Sequence, residues 1–284
     1  MTSSSRRGFL REIAAAAARR IPEVPALEPE PLPAPPPPLL SEAEIERYSR
    51  QLVLPEWSEL AQVALRDASV LVIGAGALGS PVALYLAGAG VGRLGIVDSD
   101  VVEISNLARQ PVHFTPDNGV AKVESAASKL RFLNPEVLVE PYQVRLTEEN
   151  VAGLIEGQDL VVDCSDSFAT RYLVNAACCA AGITLVEGGV VGWTGLVMTI
   201  QPGRTACYRC AFGVEPVDAP TCAEAGVLGP AAGVIGSLQA LEALKVLSGA
   251  AAPLRNAFLQ VDLATVEIMR VNVMPRPECP DCPE

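Results

Sequence analysis

The chain has 284 residues, half of them hydrophobic, and a formal net charge of −12 at pH 7. This length and apolar content suffice to bury a sizeable core in one or two domains. The acidic balance argues against a nucleic-acid-binding protein, and no apolar run reaches the roughly 18 to 20 residues that span a membrane. We therefore expect neither a nucleic-acid partner nor membrane insertion.

The first 40 residues differ in composition from the rest of the chain. Residues 5–11 resemble a twin-arginine export signal. The apolar stretch behind them is shorter than the roughly 7 to 15 residues that export signals use, so export is the less favoured interpretation. We favour a short basic helix that docks a partner or is flexible. The proline-rich residues 22–38 predict an extended linker, which makes residues 1–40 an extension to a domain over 41–284.

From residue 41 onward, short apolar strands alternate with helices. Ser41 and Glu44 form the two ends of a capping box that opens a helix. Strands are predicted at residues 69–73, 94–97, 137–141, 160–163 and 184–186, and helices up to about residue 89, over 119–133 and over 168–181. The alternation predicts a Rossmann-like, mostly parallel α/β sheet with helices on both faces. Beyond Gly192, residues 196–200 and 261–273 predict antiparallel strands around a helix at about 230–247.

Two Cys-x-x-Cys pairs lie at opposite ends of the last quarter of the chain. Each pair has the spacing that wraps a metal, and two pairs supply four thiolates, which is the full set for a closed tetrahedral zinc site. Such a site has no open position, so its zinc holds structure and does no chemistry. The expected ligands are Cys207, Cys210, Cys279 and Cys282.

The other cysteines and the only histidine predict little chemistry. Cys164, Cys178 and Cys179 fall in apolar runs and are predicted to be buried packing residues. This cysteine usage fits a reducing cytoplasm, whereas Cys222 has no role that its own surroundings indicate. A hydrolytic triad would need His113, and no Gly-x-Ser-x-Gly elbow is present. We therefore predict a structural role for His113.

A glycine-rich loop, Gly74-Ala75-Gly76-Ala77-Leu78-Gly79, follows a predicted strand and opens a helix. Asp98 ends the next strand. This is the dinucleotide-fold fingerprint, in which the glycines let a phosphate approach the helix N-terminus and the acid binds ribose hydroxyls. By itself it leaves a nicotinamide-dependent oxidoreductase open.

Three further charged residues favour ATP over a nicotinamide cofactor. Arg109 and Lys122 are cations from different loops, and Asp166 follows the end of another predicted strand. Cations neutralise phosphate oxygens and an acid holds magnesium, so the set suits a magnesium–triphosphate. A hydride-transfer enzyme needs no such set.

Together these motifs resemble the ThiF/MoeB/HesA family, the bacterial relatives of ubiquitin-activating enzymes, with its MoeB branch the nearest match and ThiF next. The resemblance covers about residues 41–284. Two departures are Ser167 where the family usually has Asn, and Ala77 where Gly is usual. The motifs that carry it are Arg47-Tyr48-Ser49-Arg50-Gln51, the glycine loop, Ser105-Asn106-Leu107-Ala108-Arg109-Gln110, Lys122, Asp166 and the two cysteine pairs.

The resemblance implies ATP-dependent adenylylation of the C-terminal glycine carboxylate of a ubiquitin-like sulfur carrier, for molybdopterin or thiamin-type sulfur transfer. It implies a nucleotide-binding part at about 41–190, a carrier-binding and zinc part at about 191–284, and a homodimer. The implied cofactors are ATP, Mg²⁺ and Zn²⁺. The implied catalytic residues are Asp166, Arg109, Lys122 and Arg50, the last reaching into the partner's site. The implied nucleotide-binding residues are Gly74, Gly76, Ala77, Gly79, Asp98, Asn106, Arg109, Lys122 and Asp166.

Several alternatives stay open. Cys222 matches a family cysteine that bonds covalently to the carrier in ThiF-like members and is dispensable for adenylation in MoeB-like members. A catalytically weak scaffold could recruit a partner through residues 1–40. A tRNA-dependent reaction, as in the threonylcarbamoyl-adenosine dehydratase relatives, is disfavoured by the acidic balance.

Overall fold

The computed structural model describes residues 38–214 and 226–282. Within these residues eight strands form one sheet, in the order β3-β2-β1-β4-β5-β6-β7-β8. The first five strands are parallel and the last four pair antiparallel from β5 onward. The strands are β1 Ser69–Ile73, β2 Arg93–Val97, β3 Leu138–Tyr142, β4 Leu160–Asp163, β5 Thr184–Val191, β6 Thr194–Ile200, β7 Ala257–Asp262 and β8 Glu267–Asn272.

Helices cover both faces of the sheet. Residues of α2, α3, α4 and α8 join one hydrophobic cluster, and residues of α5, α6 and α7 join a second cluster on the opposite face. The helices are α1 Glu42–Leu52, α2 Glu59–Asp67, α3 Gly79–Ala89, α4 Lys122–Leu133, α5 Val151–Ile155, α6 Phe168–Ala181, α7 Tyr208–Phe212 and α8 Gly229–Ser248. The predicted fold class, a mostly parallel α/β sheet with a C-terminal antiparallel region, is confirmed.

Several predicted elements are confirmed from their local chemistry. The capping box is present, since the Ser41 hydroxyl accepts from the Glu44 amide and the Glu44 carboxylate accepts from the Ser41 amide. Gly182 adopts the left-handed conformation that ends α6. The bounds of β1, β4 and α6 agree with the prediction.

Three predicted elements need correction. The predicted helix at 119–133 begins only at Lys122, because Gly119 has φ +84° and Ala121 is paired with Val101 in an isolated β-bridge. The strand predicted at 184–186 runs on to Val191 and pairs with β6. Residues 261–273 are not one strand, since a turn at 263–266 separates β7 from β8 and makes them a hairpin.

The helix α8 is long and apolar enough to cross a membrane by length and composition alone. In the structure it packs against α3, α2, β5 and β6. Residues such as Ile235 and Ala243 are completely buried there. Burial in the protein core therefore explains the apolar residues on the face of α8 that packs against these elements.

The strand order creates a crevice between β1 and β4. From β1 the chain builds outward through β2 and β3, and it then crosses to the other side of β1 to begin β4. The loops after β1 and β4 consequently leave in opposite directions at the carboxyl ends of two adjacent strands. Open α/β sheets bind their ligands at such a switch point.

Candidate nucleotide site and metal centre

A pocket of about 370 Å³ opens at the switch point between β1 and β4. This volume lies within the range of small-molecule sites. The pocket brings together predicted nucleotide-binding residues from three segments, which follow β1, β2 and β4: Gly74, Gly76, Ala77, Asp98, Asn106, Arg109, Lys122 and Asp166. Gly79, the last residue of the glycine loop, is the first residue of α3 and is not among the residues that line the pocket.

The glycine loop is tightly folded against its surroundings. Gly74 has φ +96°, and a Cβ there would lie 2.9 Å from the carbonyl oxygen of Cys164 in the loop after β4. A Cβ on Gly79 would lie 1.8 Å from the Gly74 carbonyl oxygen, and this clash with the backbone cannot be removed by rotating a side chain. Around Gly76 there is room. The first and last glycines are therefore required by the turn itself.

Asp98 ties the glycine loop to the end of β2. One of its carboxylate oxygens accepts a 2.8 Å hydrogen bond from the Ala75 amide and the other accepts one from the Asp100 amide. Each oxygen can accept a further hydrogen bond, and Asp98 lines the pocket. Asp98 therefore shapes the phosphate loop in addition to its predicted contact with ribose.

The two predicted phosphate-binding cations already have partners. The buried Lys122 ammonium group lies 2.8 Å from a carboxylate oxygen of Asp100, which is itself exposed. Arg109 donates to the Ser105 carbonyl oxygen at 2.9 Å. Asn106 is buried and its side chain accepts from the Glu103 amide. Both cations line the pocket, so a bound anion can compete for them.

Three buried polar atoms on pocket-lining residues have no hydrogen-bond partner among the described residues. They are Oε1 of Gln110, Oγ of Ser165 and Nε of Arg171, the last of which lies beside Glu187. Buried polar atoms in native proteins are nearly always paired, so these atoms fit a site that is completed by a polar ligand. The residues present therefore suit a nucleotide.

Asp166 is exposed at the pocket edge, and the next residue, Ser167, caps α6 by accepting from the Thr170 amide. Arg50, at the end of α1, is exposed and does not line this pocket. Cys222 lies outside the described residues. The structure thus assembles the predicted nucleotide set and leaves Arg50 apart from it.

Sequence reasoning missed two arginines that line the pocket. Arg145 lies in the loop after β3, where its carbonyl oxygen accepts from the Asn150 side chain. Arg171 lies in α6 and is buried. The sequence could have indicated Arg171, because it is the one charged residue on the buried face of α6. The neighbouring residues of that face include Tyr172, Val174 and Asn175. Arg145 has no comparable signal.

His113 is buried behind the glycine loop. Its Nε2 lies 2.9 Å from the Ala75 carbonyl oxygen, which can only accept, so Nε2 carries the proton. Its Nδ1 then accepts from the Ser125 hydroxyl at 2.8 Å. Burial lowers the pKa of His113 below its ordinary value, and the nearby Lys122 and Lys129 charges act in the same direction. The predicted structural role agrees with this neutral, doubly bonded ring.

The four cysteines of the two pairs form one cluster, in which all the sulfur atoms lie within 4.8 Å of one another. Three sulfur–sulfur distances are 3.8, 3.6 and 3.5 Å. A tetrahedron with zinc–sulfur bonds of 2.3 Å has sulfur atoms about 3.8 Å apart. The cluster can therefore hold one tetrahedral metal ion, and its ligands are those the sequence predicted.

The surroundings of the cluster stabilise negative sulfur and fix the tail. The Arg276 amide donates to Cys210 Sγ at 3.3 Å. A hydrogen bond from Cys179 is the largest cause that lowers the pKa of the Cys207 thiol to about 4. Asp281, inside the second pair, accepts from Arg209 and from Asn175 of α6, both at 2.7 Å. The tail is thus bound to α6 as well as to the cysteines.

Comparison with known proteins follows the same motifs. The model of the ThiF family matches residues 48–283, which is most of the chain. The chain belongs to the ThiF family.

Several curated relatives of this ThiF-family chain are similar over nearly all of the domain. The sulfur carrier protein adenylyltransferase of Thermus thermophilus is 46% identical over 246 residues, covering 84% of this chain and 91% of the relative. The molybdopterin-synthase adenylyltransferase of Escherichia coli is 42% identical over 245 residues, covering 86% and 98%. The adenylyltransferase and sulfurtransferase MOCS3 of Sus scrofa is 48% identical over 256 residues, covering 89% of this chain. The chain spans about half the length of the MOCS3 relatives, 56% in this case.

Solved structures support the assignment of this ThiF-family fold. A crystal structure of E. coli MccB with ATP superposes with a TM-score of 0.75 and 25% identity, and the match covers 83% of this chain and 74% of MccB. The overall fold of the chain is therefore one that is also found in crystal structures.

Proposed function

We propose that the chain is an ATP-dependent adenylyltransferase that acts on the C-terminal glycine carboxylate of a ubiquitin-like sulfur-carrier protein. The observation that carries the proposal is the pocket at the switch point, where Arg109, Lys122 and Asp166 meet the glycine loop. It is supported by the printed names of the relatives, which include sulfur carrier protein and molybdopterin-synthase adenylyltransferases. The pathways proposed are molybdopterin or thiamin-type sulfur transfer.

The proposed reaction is a displacement at phosphorus. A carrier carboxylate oxygen attacks the α-phosphorus of ATP, and the bond from that phosphorus to the oxygen that bridges to the β-phosphate breaks. Pyrophosphate leaves with the bond's electron pair, and the carrier becomes an acyl-adenylate that a sulfur nucleophile can attack. A glycine carboxylate is already ionised at neutral pH, so the reaction needs no general base.

The proposed residue roles follow from where the side chains lie. Lys122 and Arg109 exchange their present partners for phosphate oxygens, which neutralises charge as pyrophosphate develops. Asp98 binds the ribose, and Asn106 contacts the phosphates. The glycine loop amides at the start of α3 supply further donors.

Asp166 is the proposed magnesium ligand. It is an exposed carboxylate at the pocket edge, and oxygen ligands of this kind are those that magnesium prefers. When bound, magnesium would neutralise phosphate charge. The chain's own contribution is to present one carboxylate at a fixed place beside the triphosphate.

Zinc is the proposed metal of the cysteine cluster. Four sulfur ligands at the tetrahedral spacing leave no open coordination position, so the site is structural. Its proposed role is to clamp the C-terminal tail onto α6 and α7. Residues 191–284 are proposed to carry the carrier-binding surface next to this clamp.

A homodimer is proposed on two features of the single chain. It has an exposed apolar groove, and Arg50 does not line the nucleotide pocket of its own chain. Tyr85 and Leu241, with side chains that are 57% and 49% exposed, line a groove between α3 and α8. Such a surface suits a second copy of the chain. In that dimer Arg50 is proposed to complete the partner's nucleotide site.

A covalent ThiF-like variant, in which Cys222 bonds to the carrier, remains a second hypothesis. Because Cys222 lies outside the described residues, this hypothesis rests on the family resemblance alone. A cytoplasmic location and the lack of nucleic-acid and membrane partners also remain predictions. The oxidoreductase and scaffold alternatives are less favoured, because neither uses the assembled Arg109, Lys122 and Asp166.

The test of the proposed function is ATP–pyrophosphate exchange with purified carrier proteins. Exchange is expected with a molybdopterin- or thiamin-type carrier ending in Gly-Gly and should be absent when its last glycine is removed. Tight binding of a nicotinamide dinucleotide without binding of ATP would overturn the proposal. Equal exchange with the intact and the truncated carrier would refute the assigned substrate group.

A further inference from the structure

Three charged side chains are buried directly beneath the nucleotide pocket. Asp163 ends β4, Glu187 is its register neighbour on β5, and both carboxylates are completely inaccessible to solvent. Arg171 reaches them from α6, and its Nε lies 3.6 Å from a Glu187 carboxylate oxygen. Burying charges is costly even when they are paired. A cluster of this kind therefore calls for an explanation beyond stability.

The sheet is shaped to admit the arginine. A Cβ on Gly189 would lie 2.3 Å from Nη1 of Arg171, so only glycine leaves room for the guanidinium group beside β5. On the other face of the strand, Gly188 makes room in the same way for Gln239, which donates to the Asp163 carbonyl oxygen. The two adjacent glycines thus leave room for Arg171 and Gln239, and both side chains donate hydrogen bonds to backbone carbonyl groups at the end of β4.

The cluster makes hydrogen bonds to both the amide and the carbonyl group of Ser165. The Asp163 carboxylate accepts a 2.8 Å hydrogen bond from the Ser165 amide. Nη2 of Arg171 donates to the Ser165 carbonyl oxygen at 3.0 Å. The following residue is Asp166, and Ser167 behind it is fixed as the cap of α6. Asp166 therefore lies between two anchored residues.

The charges of the cluster are compatible with this geometry. Burial raises the pKa of Glu187 well above its ordinary value, and the charge of Asp163 raises it further. Although burial acts to lower the pKa of Arg171, the charge of Glu187 raises it overall. The arginine therefore stays charged, while burial favours the neutral form of the Glu187 carboxyl group.

We infer that Arg171 is a positioning residue for magnesium–nucleotide binding. It fixes the loop that carries Asp166 and is itself paired with Glu187, while Asp163 holds the Ser165 amide of the same loop. The part that concerns magnesium rests on the proposed function, whereas the part that concerns the loop does not. Arginine suits the task because its planar fork can serve Ser165 and Glu187 at once. A lysine at this position has one point charge and serves only one of them.

The test compares Arg171→Lys with Arg131→Lys. Arg131 also donates to a backbone carbonyl oxygen, that of Val139, but it lies outside the pocket. Hydrogen exchange of the amides at 164–167 in the ligand-free chain is expected to speed up about tenfold in the first variant only. Calorimetric titration with ATP at a series of Mg²⁺ concentrations is expected to show a half-saturating Mg²⁺ concentration raised about tenfold.

A double variant guards against loss of folding. Arg171→Gln combined with Glu187→Gln removes the two members of the ion pair together, which proteins tolerate better than an orphaned charge. Burial raises the pKa of the remaining Asp163, so that this carboxyl group can take up a proton when the arginine is gone. The double variant should stay folded and show the same two changes. Unchanged exchange at 164–167, or an unchanged Mg²⁺ requirement in a chain that binds ATP, would overturn the inference. If the wild-type chain binds no ATP at all, the proposed function fails, while the amide exchange still decides the positioning of the loop.

Discussion

Asp166 is the residue on which the proposed chemistry depends most. Its carboxylate is exposed at the carboxyl end of β4, and neighbouring backbone groups are fixed by Asp163 and Arg171. An ionised group held beside a triphosphate acts through its charge, and the position of that charge decides its effect. A change that keeps the size but removes the charge therefore isolates its contribution.

Asp166→Asn is expected to lower the rate of ATP–pyrophosphate exchange about 100-fold or more, because the ligand loses its charge while the loop keeps its shape. Asp67→Asn is the control, since Asp67 is an exposed aspartate that pairs with Arg66 away from the pocket. Steady-state exchange assays on both variants check the prediction. Retention of full activity by Asp166→Asn would remove Asp166 from the mechanism.

His113 gives a prediction for acid stability. Its pKa in the folded state is lowered from about 6.5, mainly by burial. As the pH falls, the unfolded chain therefore takes up a proton on His113 before the folded chain does. The contribution of neutral His113 to the free energy of unfolding is fully present above about pH 6.5 and declines as the pH falls below it. In His113→Gln the neutral side chain does not titrate, and this part of the decline should disappear.

Urea unfolding at about pH 7.5 and about pH 5.5 measures the effect of His113. The wild type is expected to lose more stability on acidification than His113→Gln does. The buried carboxyl groups are common to both proteins, so their contributions cancel in the comparison. Equal losses would mean that His113 is not held neutral by the fold.

At the scale of elements, the sequence predicted correctly those strand and helix bounds that depend on neighbouring residues along the chain. The bounds of β1, β4 and α6 follow from continuous apolar runs and from Gly182, and the capping box places the start of α1. The hairpin of β7 and β8 was not predicted, because its residues are half exposed and the apolar pattern runs across the turn. The long β5 was missed because Gly188 and Gly189 look like a strand end.

The candidate site shows the same division. The glycine loop and the four cysteines carry motifs that spacing alone reveals, whereas Lys122 and Asp166 were selected by their charge, their place in the predicted loops and the family resemblance. The roles of Arg171 and Glu187 depend on register between β4 and β5 and on the crossing of α6, which are contacts between distant segments. No pattern within one segment contains that information, apart from the charge on the buried stripe of α6.

The cysteine cluster gives the prediction at this scale. Cys279→Ala should lose the metal and lower the midpoint of thermal unfolding by about 5 °C or more, because α7 and the tail are no longer joined. Cys178→Ala is the control, since Cys178 is buried outside the cluster. Metal analysis is expected to find one zinc per chain in the wild type and in the control. Zinc retained by Cys279→Ala would rule out the proposed ligand set.

The whole molecule is proposed to act as a dimer, in which Arg50, which does not line the pocket of its own chain, would complete the pocket of the partner. The apolar groove between α3 and α8 supplies a surface for a second copy. Each site would then contain residues of both chains. That arrangement predicts that two inactive variants can repair each other.

Mixing Arg50→Ala with Asp166→Asn is expected to restore exchange activity to about a quarter of the wild-type value, since half of randomly assorted dimers are mixed and each has one intact site. Adding Leu241→Glu to both variants should abolish the recovery by placing a charge in the groove. Phe132→Glu, on an exposed apolar residue outside the groove, should leave it unchanged. No recovery, with dimers confirmed by sedimentation, would mean that Arg50 acts within its own chain or not at all.

Transfer of label from ATP is the measurement that tests adenylylation most directly. A Gly-Gly carrier is incubated with the chain, Mg²⁺ and ATP that is labelled at either the α- or the γ-phosphate. Adenylylation predicts that the carrier acquires the α-label in an acid-stable, hydroxylamine-sensitive linkage, while the γ-label appears in pyrophosphate. Transfer of the γ-label to the carrier, or release of inorganic phosphate in place of pyrophosphate, would contradict the account.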